Sequence, residues 1–222
     1  MLELERTADA EEAALRAAEL IAAAADDAVA ERGECAVALS GGKTPWRMVE
    51  LLAGLAIPWD RTSLFQVDER VAPAGDPDRN LTHLVAALPL DLQARLRPMP
   101  VTDDDLDAAA GRYGAQLPER LDLVHLGLGP DGHTASLVPG DPVLEVSDRA
   151  VAVTAEPYQG RRRMTLTYPT INAARQVLFL VDGDAKREPL ARLRAGDAGI
   201  PAGRVAAARM VLVADATALG ED

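Results

Sequence analysis

The segment Asp131-Gly132-His133-Thr134 carries the chain's clearest arrangement for acid–base chemistry. A histidine with an ordinary pKa near ~6.5 takes and returns a proton at neutral pH. The neighbouring Asp131 can orient or charge-stabilise that ring, or hold a substrate, and Gly132 between them permits a sharp turn. Metal binding competes for the same side chains. The chain has only 3 histidines and shows no H-x-x-x-H or paired Cys/His spacing, so no metal site is expected. His125, inside the apolar run before the cluster, reads as a hydrogen-bonded core histidine. There is no G-x-S-x-G elbow, and Cys35 reads as a small core residue.

Other stretches bear groups suited to an anion. Ser40-Gly41-Gly42-Lys43-Thr44 joins an apolar run to a helix start, where glycines let backbone N–H groups approach an anion and hydroxyls add donors. It lacks the G-x-x-x-x-G-K-[ST] spacing of nucleotide-hydrolysing loops, and a plain tight turn fits it equally. Lys186 can supply a point charge or be a solvated lysine. Arg161, Arg162 and Arg163 form a basic run that reads by default as an exposed cluster; the alternative turns one of them inward, and Arg163 is taken as that one. Asp68-Glu69-Arg70 ends another apolar run; it is either a surface ion-pair cluster or the setting for an anion-facing Arg70, with Asn80 as a polar contact.

The elements that must position these groups alternate. A helix is expected from residue 7 to about 31, closed by Gly33, with the N-terminal stretch "MLELERTADAEEAALRAAEL" helical in character. Strands are expected at 35–39, 63–67, 121–128, 149–154, 164–168 and 176–183, with 209–215 closing the sheet. Helices should start at Pro45 and near Ala185 and cover about 79–87 and 103–117. The strongest strands are continuous apolar runs, which belong to a mostly parallel sheet covered on both faces. The expected fold is therefore α/β: a doubly wound, three-layer α/β/α sandwich forming one domain over 1–222. Ligands of such folds bind beyond the carboxyl ends of the strands, where "SGGKTP", "DERVAP", "GLGPDGHT" and "DGDAK" all lie.

Composition narrows the function classes. The 222 residues are 48% hydrophobic and 26% charged, ordinary for a globular chain. With 35 acidic against 23 basic side chains the formal net charge is -12, a field that disfavours nucleic acid and anionic membranes. No stretch nears the ~18 apolar residues of a membrane helix. A single cysteine fits a reducing compartment, and a cytoplasmic location is expected.

Together, "ALSGGKTP", "VDERVAP" followed by "DRN", "LGLGPDGHTASLVPG", "RRRMTLTYPTIN" and "VLFLVDGDAK" resemble, in order and spacing, the 6-phosphogluconolactonase family of the pentose phosphate pathway. The resemblance spans about residues 36 to 186. It implies the fold shared with glucosamine-6-phosphate deaminases and hydrolysis of a phosphorylated sugar lactone without metal or organic cofactor. It further implies that His133 is catalytic, assisted by Asp131 and Arg70, with Gly41–Thr44 and Lys186 in the phosphate-holding region. Ser40, Asp68, Asn80, Gly132 and Arg163 complete the expected site. Lys43 stands where the family often has Ser, and "VAP" lacks a common Cys. The deaminase relatives carry a glutamate five residues after the histidine; here that residue is Val138, which cannot relay a proton. A monomer or weak homodimer is expected.

Overall fold

The computed structural model describes residues 2–221. In chain order, β1 (Leu2–Thr7) leads into α1 (Ala10–Arg32), and β2 (Cys35–Leu39) into α2 (Lys43–Ala53). Next come β3 (Thr62–Gln66), β4 (Asp68–Arg70), α3 (Asn80–Ala87), α4 (Leu90–Gln93) and β5 (Leu96–Arg97). They are followed by α5 (Leu106–Gly114), β6 (Leu123–Leu126), β7 (Val151–Val153), β8 (Arg163–Leu166) and α6 (Tyr168–Ala173). The order ends with β9 (Gln176–Val181), α7 (Arg187–Arg194), β10 (Met210–Asp215) and α8 (Ala216–Leu219).

The main sheet runs β1-β10-β9-β6-β2-β3-β5, and every neighbouring pair is parallel. Alternate residues of its strands supply two separate cores. Val37, Leu39, Leu178, Leu180, Val211 and Val213 pack on the face covered by α1 and α2. Ala36, Ala38, Val177, Phe179, Leu212 and Ala214 pack on the other. A strand buried on both faces must be apolar at every position, which is why these strands read as unbroken apolar runs. Helix α1 buries Ala13, Ala17, Ala18 and Ala25 around Ile21, and such small side chains let its backbone lie close to the sheet.

From β2 the chain winds outward to β3 and β5, then returns to β6 on the other flank of β2 and continues to β9 and β10. Strand order thus reverses between β2 and β6, where loops splay apart and leave a crevice. A second, antiparallel sheet, β4-β8-β7, lies beyond this end. Its register sets Arg70 directly opposite Arg163 and Asp68 opposite Thr165.

Two expectations need correction. The N-terminal stretch is not helical from its start: Leu2–Thr7 is an edge strand paired with β10, so β1 and not 209–215 closes the sheet. Leu2 and Leu4 pack on the core while Glu3 is exposed, a period-two pattern that the helix-favouring composition downstream obscures. Nor is the Asp-Glu-Arg stretch a surface ion-pair cluster. It is a strand in its own right, with Asp68 and Glu69 buried.

Candidate active site

A cavity of about 280 Å³ opens at the strand-order reversal. The loop after β2 gives it Ser40, Gly41, Gly42, Lys43 and Thr44, and the β4 strand gives Asp68 and Arg70. Asn80 comes from the start of α3, His133 from the loop after β6, Arg163 from β8 and Lys186 from the turn after β9. Asp182, which the sequence did not single out, also lines it.

Each contribution has a local cause. Ser40 anchors the glycine loop to β6: its Oγ donates to the His125 carbonyl at 2.9 Å and its N–H to His125 Nδ1 at 3.3 Å. His125 is fully buried, which pushes its pKa down to about 3. Because Nδ1 accepts a bond, its proton sits on Nε2, which is buried without a partner. A Cβ on Gly41 would collide with the Asn80 amide, so glycine here lets the loop lie against α3. Gly42, at φ 140, starts α2 and leaves the first helical N–H groups bare toward the cavity.

In the loop after β6, Gly129 makes room for the imidazole, since a Cβ there would collide with the His133 ring. His133 Nδ1 lies 2.5 Å from Asp131 Oδ1, and the His133 backbone N–H donates to the same oxygen at 3.2 Å. Burial works to raise the pKa of Asp131, but hydrogen bonds from His133 and Tyr158 and the nearby imidazole charge hold it below the ordinary carboxylate value. An ionised carboxylate only accepts, so the Nδ1 proton belongs to histidine, and in the neutral form of the ring the lone pair is on Nε2. Asp131 itself stands behind His133 rather than on the cavity wall. Gly132 also lies off the wall: at φ 81 it turns the chain against Ile200, where a Cβ would come within 2.6 Å.

Of the basic run, Arg161 pairs with Asp76 and Asp78, and Arg162 donates to the Thr154 carbonyl. Arg163 alone of the three reaches the cavity; it is 3% exposed and its Nε has no partner. Burial lowers its pKa. Burial likewise lowers that of Lys186, with Asp182 and Asp131 acting in the opposite sense. Arg70 donates from Nη1 to Asn80 Oδ1 and the Asp78 carbonyl, both at 2.9 Å, and its buried Nε is unpartnered. Asp68 is held by Asn80 Nδ2 and by Ser136 Oγ at 2.5 Å. Two arginines directly opposite on paired strands repel each other, and an anion between them relieves this.

Sequence reasoning missed Glu69 and Tyr158. Glu69 is fully buried and accepts from Gln66 Nε2, Arg79 Nε and the backbone N–H groups of Arg70, Asn80 and Leu81. Tyr158 donates to Asp131 Oδ2 at 2.9 Å and sets its ring edge-on to His133. The one available signal was an aromatic residue just before a Gln-Gly turn in a chain only 3% aromatic. Among the described residues no group of three or more His, Cys, Asp or Glu side chains could hold a metal ion. No helix there is long and apolar enough to cross a membrane.

Fold and site together define a class: a doubly wound α/β protein holding a hydrogen-bonded Asp–His pair and clustered cations at one crevice at its switch point. The model of the family described as glucosamine-6-phosphate isomerases/6-phosphogluconolactonase matches residues 8–214. A 6-phosphogluconolactonase of Synechocystis is 40% identical over 184 residues, covering 77% of this chain and 76% of that protein. One from Streptomyces coelicolor is 37% identical over 200 residues, with coverage of 79% and 76%. The crystal structure of 6-phosphogluconolactonase from Thermotoga maritima superposes with a TM-score of 0.85 at 25% identity, covering 97% of this chain and 100% of that one. A monomeric glucosamine-6-phosphate deaminase shares the fold, with a TM-score of 0.81 at 21% identity and full coverage of both chains. The chain belongs to the glucosamine-6-phosphate isomerase/6-phosphogluconolactonase family.

Proposed function

We propose that this protein hydrolyses 6-phospho-D-glucono-1,5-lactone to 6-phospho-D-gluconate, the lactone-opening step of the oxidative pentose phosphate pathway. The observation that carries the reading is the convergence, on one cavity, of the Asp131–His133 pair with Arg70, Arg163 and Lys186. The curated relatives at 37–40% identity bear the lactonase name. The isomerase side of the family is disfavoured because Val138, where a relay carboxylate is needed, is a buried apolar residue.

In this reading Nε2 of neutral His133 takes a proton from water as its oxygen bonds to the lactone C1. Asp131 stabilises the imidazolium that forms. The tetrahedral oxyanion accepts hydrogen bonds from Arg70 or loop N–H groups, one such donor being worth about 3 kcal/mol. Collapse breaks the bond from C1 to the ring oxygen, which receives the proton back from His133 and leaves as the 5-hydroxyl. The new carboxyl group ionises to water. Meanwhile the remote 6-phosphate, held by Gly41–Thr44, Lys186 and Arg163, fixes C1 against the base. In the same reading the Asp68 carboxylate accepts from a sugar hydroxyl, while Asn80, whose amide bonds to both Asp68 and Arg70, holds those two side chains at the cavity. The single cysteine is buried as Cys35, its thiol pKa pushed up to about 12, and suits a cytoplasmic location.

The test follows decay of the phosphorylated lactone at a pH where spontaneous opening is slow. Wild-type protein should accelerate it, and His133→Ala should lose about 10²- to 10⁴-fold in kcat. Near-normal turnover by that variant would remove His133 from its role. Binding of the lactone by wild-type protein without faster decay would replace the enzyme reading with that of a sugar-phosphate sensor.

A further inference from the structure

Tyr158 sits where the base and the anion-binding side of the cavity meet. Its hydroxyl donates to Asp131 Oδ2 at 2.9 Å, the carboxylate oxygen that His133 leaves free, and lies 3.3 Å from His133 Nδ1. Its ring meets the imidazole edge-on, with centroids 5.2 Å apart and planes at 68°. The Arg163 guanidinium lies over the same ring, 4.9 Å from its centroid. One phenol therefore touches the carboxylate, the imidazole and the arginine.

The backbone fixes that phenol in place. Tyr158 and Arg161 flank a two-residue turn, bonded N–H to carbonyl in both directions at 2.9 and 3.3 Å. Gln159 and Gly160 at its tip adopt φ of 52 and 81, the left-handed pair that a tight hairpin turn demands. Gln159 Oε1 accepts from Arg163 Nη2 at 3.0 Å, and Arg161 is tied to Asp76 and Asp78 across the loop. A hairpin tip is ordinarily mobile, yet this one is bonded on both flanks.

We propose that Tyr158 is a positioning residue for the Asp131–His133 pair, holding the second Asp131 oxygen with its hydroxyl and fixing His133 beside Arg163 with its ring. The proposal rests on His133 being the base in the lactonase reading. Its chemistry follows from the acceptor being shared. A phenol proton on Oδ2 withdraws charge from the carboxylate, so Asp131 stabilises the imidazolium less than it would alone. His133 therefore returns its proton to the leaving oxygen more readily, and the carboxylate cannot rotate away from Nδ1. The other charged groups on the cavity wall are Lys43, Asp68, Arg70, Arg163, Asp182 and Lys186; of these Arg163 lies against the Tyr158 ring, while the Tyr158 hydroxyl bonds only to the Asp131–His133 pair.

The test is Tyr158→Phe, which deletes the hydroxyl and keeps the ring. NMR titration of the His133 imidazole, assigned by loss of its signals in His133→Ala, needs no substrate. Without the phenol proton the carboxylate is a stronger partner, so the His133 midpoint should rise by about half to one pH unit. In lactone assays kcat should fall roughly 3- to 10-fold with KM nearly constant, while Tyr158→Leu, which also strips the ring from under Arg163, should raise KM as well. In an Asp131→Asn background the Tyr158→Phe loss should vanish. An unmoved His133 midpoint, or the same fold loss with and without Asp131, overturns the proposal. Absence of lactone turnover by wild-type protein overturns the lactonase reading instead, and leaves the titration to judge Tyr158. A thermal melt of Tyr158→Phe within a few degrees of wild type is the expected sign that the ring preserves the fold; unfolding of that variant would make Tyr158 a structural residue and also overturn the proposal.

Discussion

At the scale of single residues, the two glycines around Asp131 do different jobs that a sequence cannot tell apart. Gly129 is glycine because the His133 ring occupies the space a Cβ would take, and its own φ is not in the left-handed region. Gly132 is glycine because φ is 81 and Ile200 blocks the Cβ direction. The two alanine variants should therefore part company. Gly129→Ala displaces the imidazole without straining the backbone, so the fold should persist while kcat drops about 100-fold, the usual cost of a misplacement near 1 Å. Gly132→Ala strains the turn and crowds Ile200, and should cost about 1–3 kcal/mol of stability. Lactone turnover and urea unfolding measured on both variants check this. Equal stability losses in the two would refute the division of labour.

At the scale of elements, the site depends on one buried carboxylate joining a strand to a helix. Glu69, on β4, accepts from the backbone N–H groups of Asn80 and Leu81, both at 2.8 Å, and so caps the start of α3 in place of an N-cap side chain. It also pairs with Arg79 at 3.2 Å, both side chains being nearly inaccessible. The flanking residues Arg70 and Asn80, which share a 2.9 Å bond at the cavity, are thereby placed together. Glu69→Gln leaves a buried guanidinium without its counter-charge, and should destabilise the fold by about 3–5 kcal/mol as read from urea unfolding. A loss below 1 kcal/mol would mean that water reaches Arg79 and that the pair is not an anchor. The parallel core strands were legible because burial on both faces leaves unbroken apolar runs. The edge strand Leu2–Thr7 was not, since its alternation is short and merges with the composition of α1. The loops at the strand ends were legible as chemistry; Glu69 was not, because an Asp-Glu-Arg triplet looks the same exposed or buried. Tyr158 escaped for a related reason: only the hairpin register brings residue 158 onto residue 131.

At the scale of the whole molecule, a net charge of -12 must coexist with the proposed phosphate site. The fold resolves this by gathering Lys43, Arg70, Arg163 and Lys186 on a wall that has only Asp68 and Asp182 as carboxylates, a local excess of two positive charges (four against two). Repulsion from acidic groups elsewhere is screened beyond about 8 Å at physiological salt, whereas the cavity cations act at contact. Beneath that wall lies His125, the support of the glycine loop, and it ties the stability of the whole molecule to pH. Burial holds its folded pKa at about 3, while in the unfolded chain it returns to about 6.5. Between those values the unfolded chain binds a proton that the folded one refuses, so stability rises with pH. The contribution is complete above pH ~6.5 and is lost progressively as pH falls toward ~3. Between pH ~7.5 and ~5.5, where most carboxylates stay ionised, it amounts to about 1.4 kcal/mol. His125→Asn places an amide oxygen near the position of Nδ1, able to accept the Ser40 N–H, and carries no titrating group. Urea unfolding at the two pH values should show wild type losing about 1.4 kcal/mol more than the variant on acidification. Equal losses in both proteins would mean that His125 takes up its proton within the fold, and the neutral, buried support for the glycine loop would have to be abandoned.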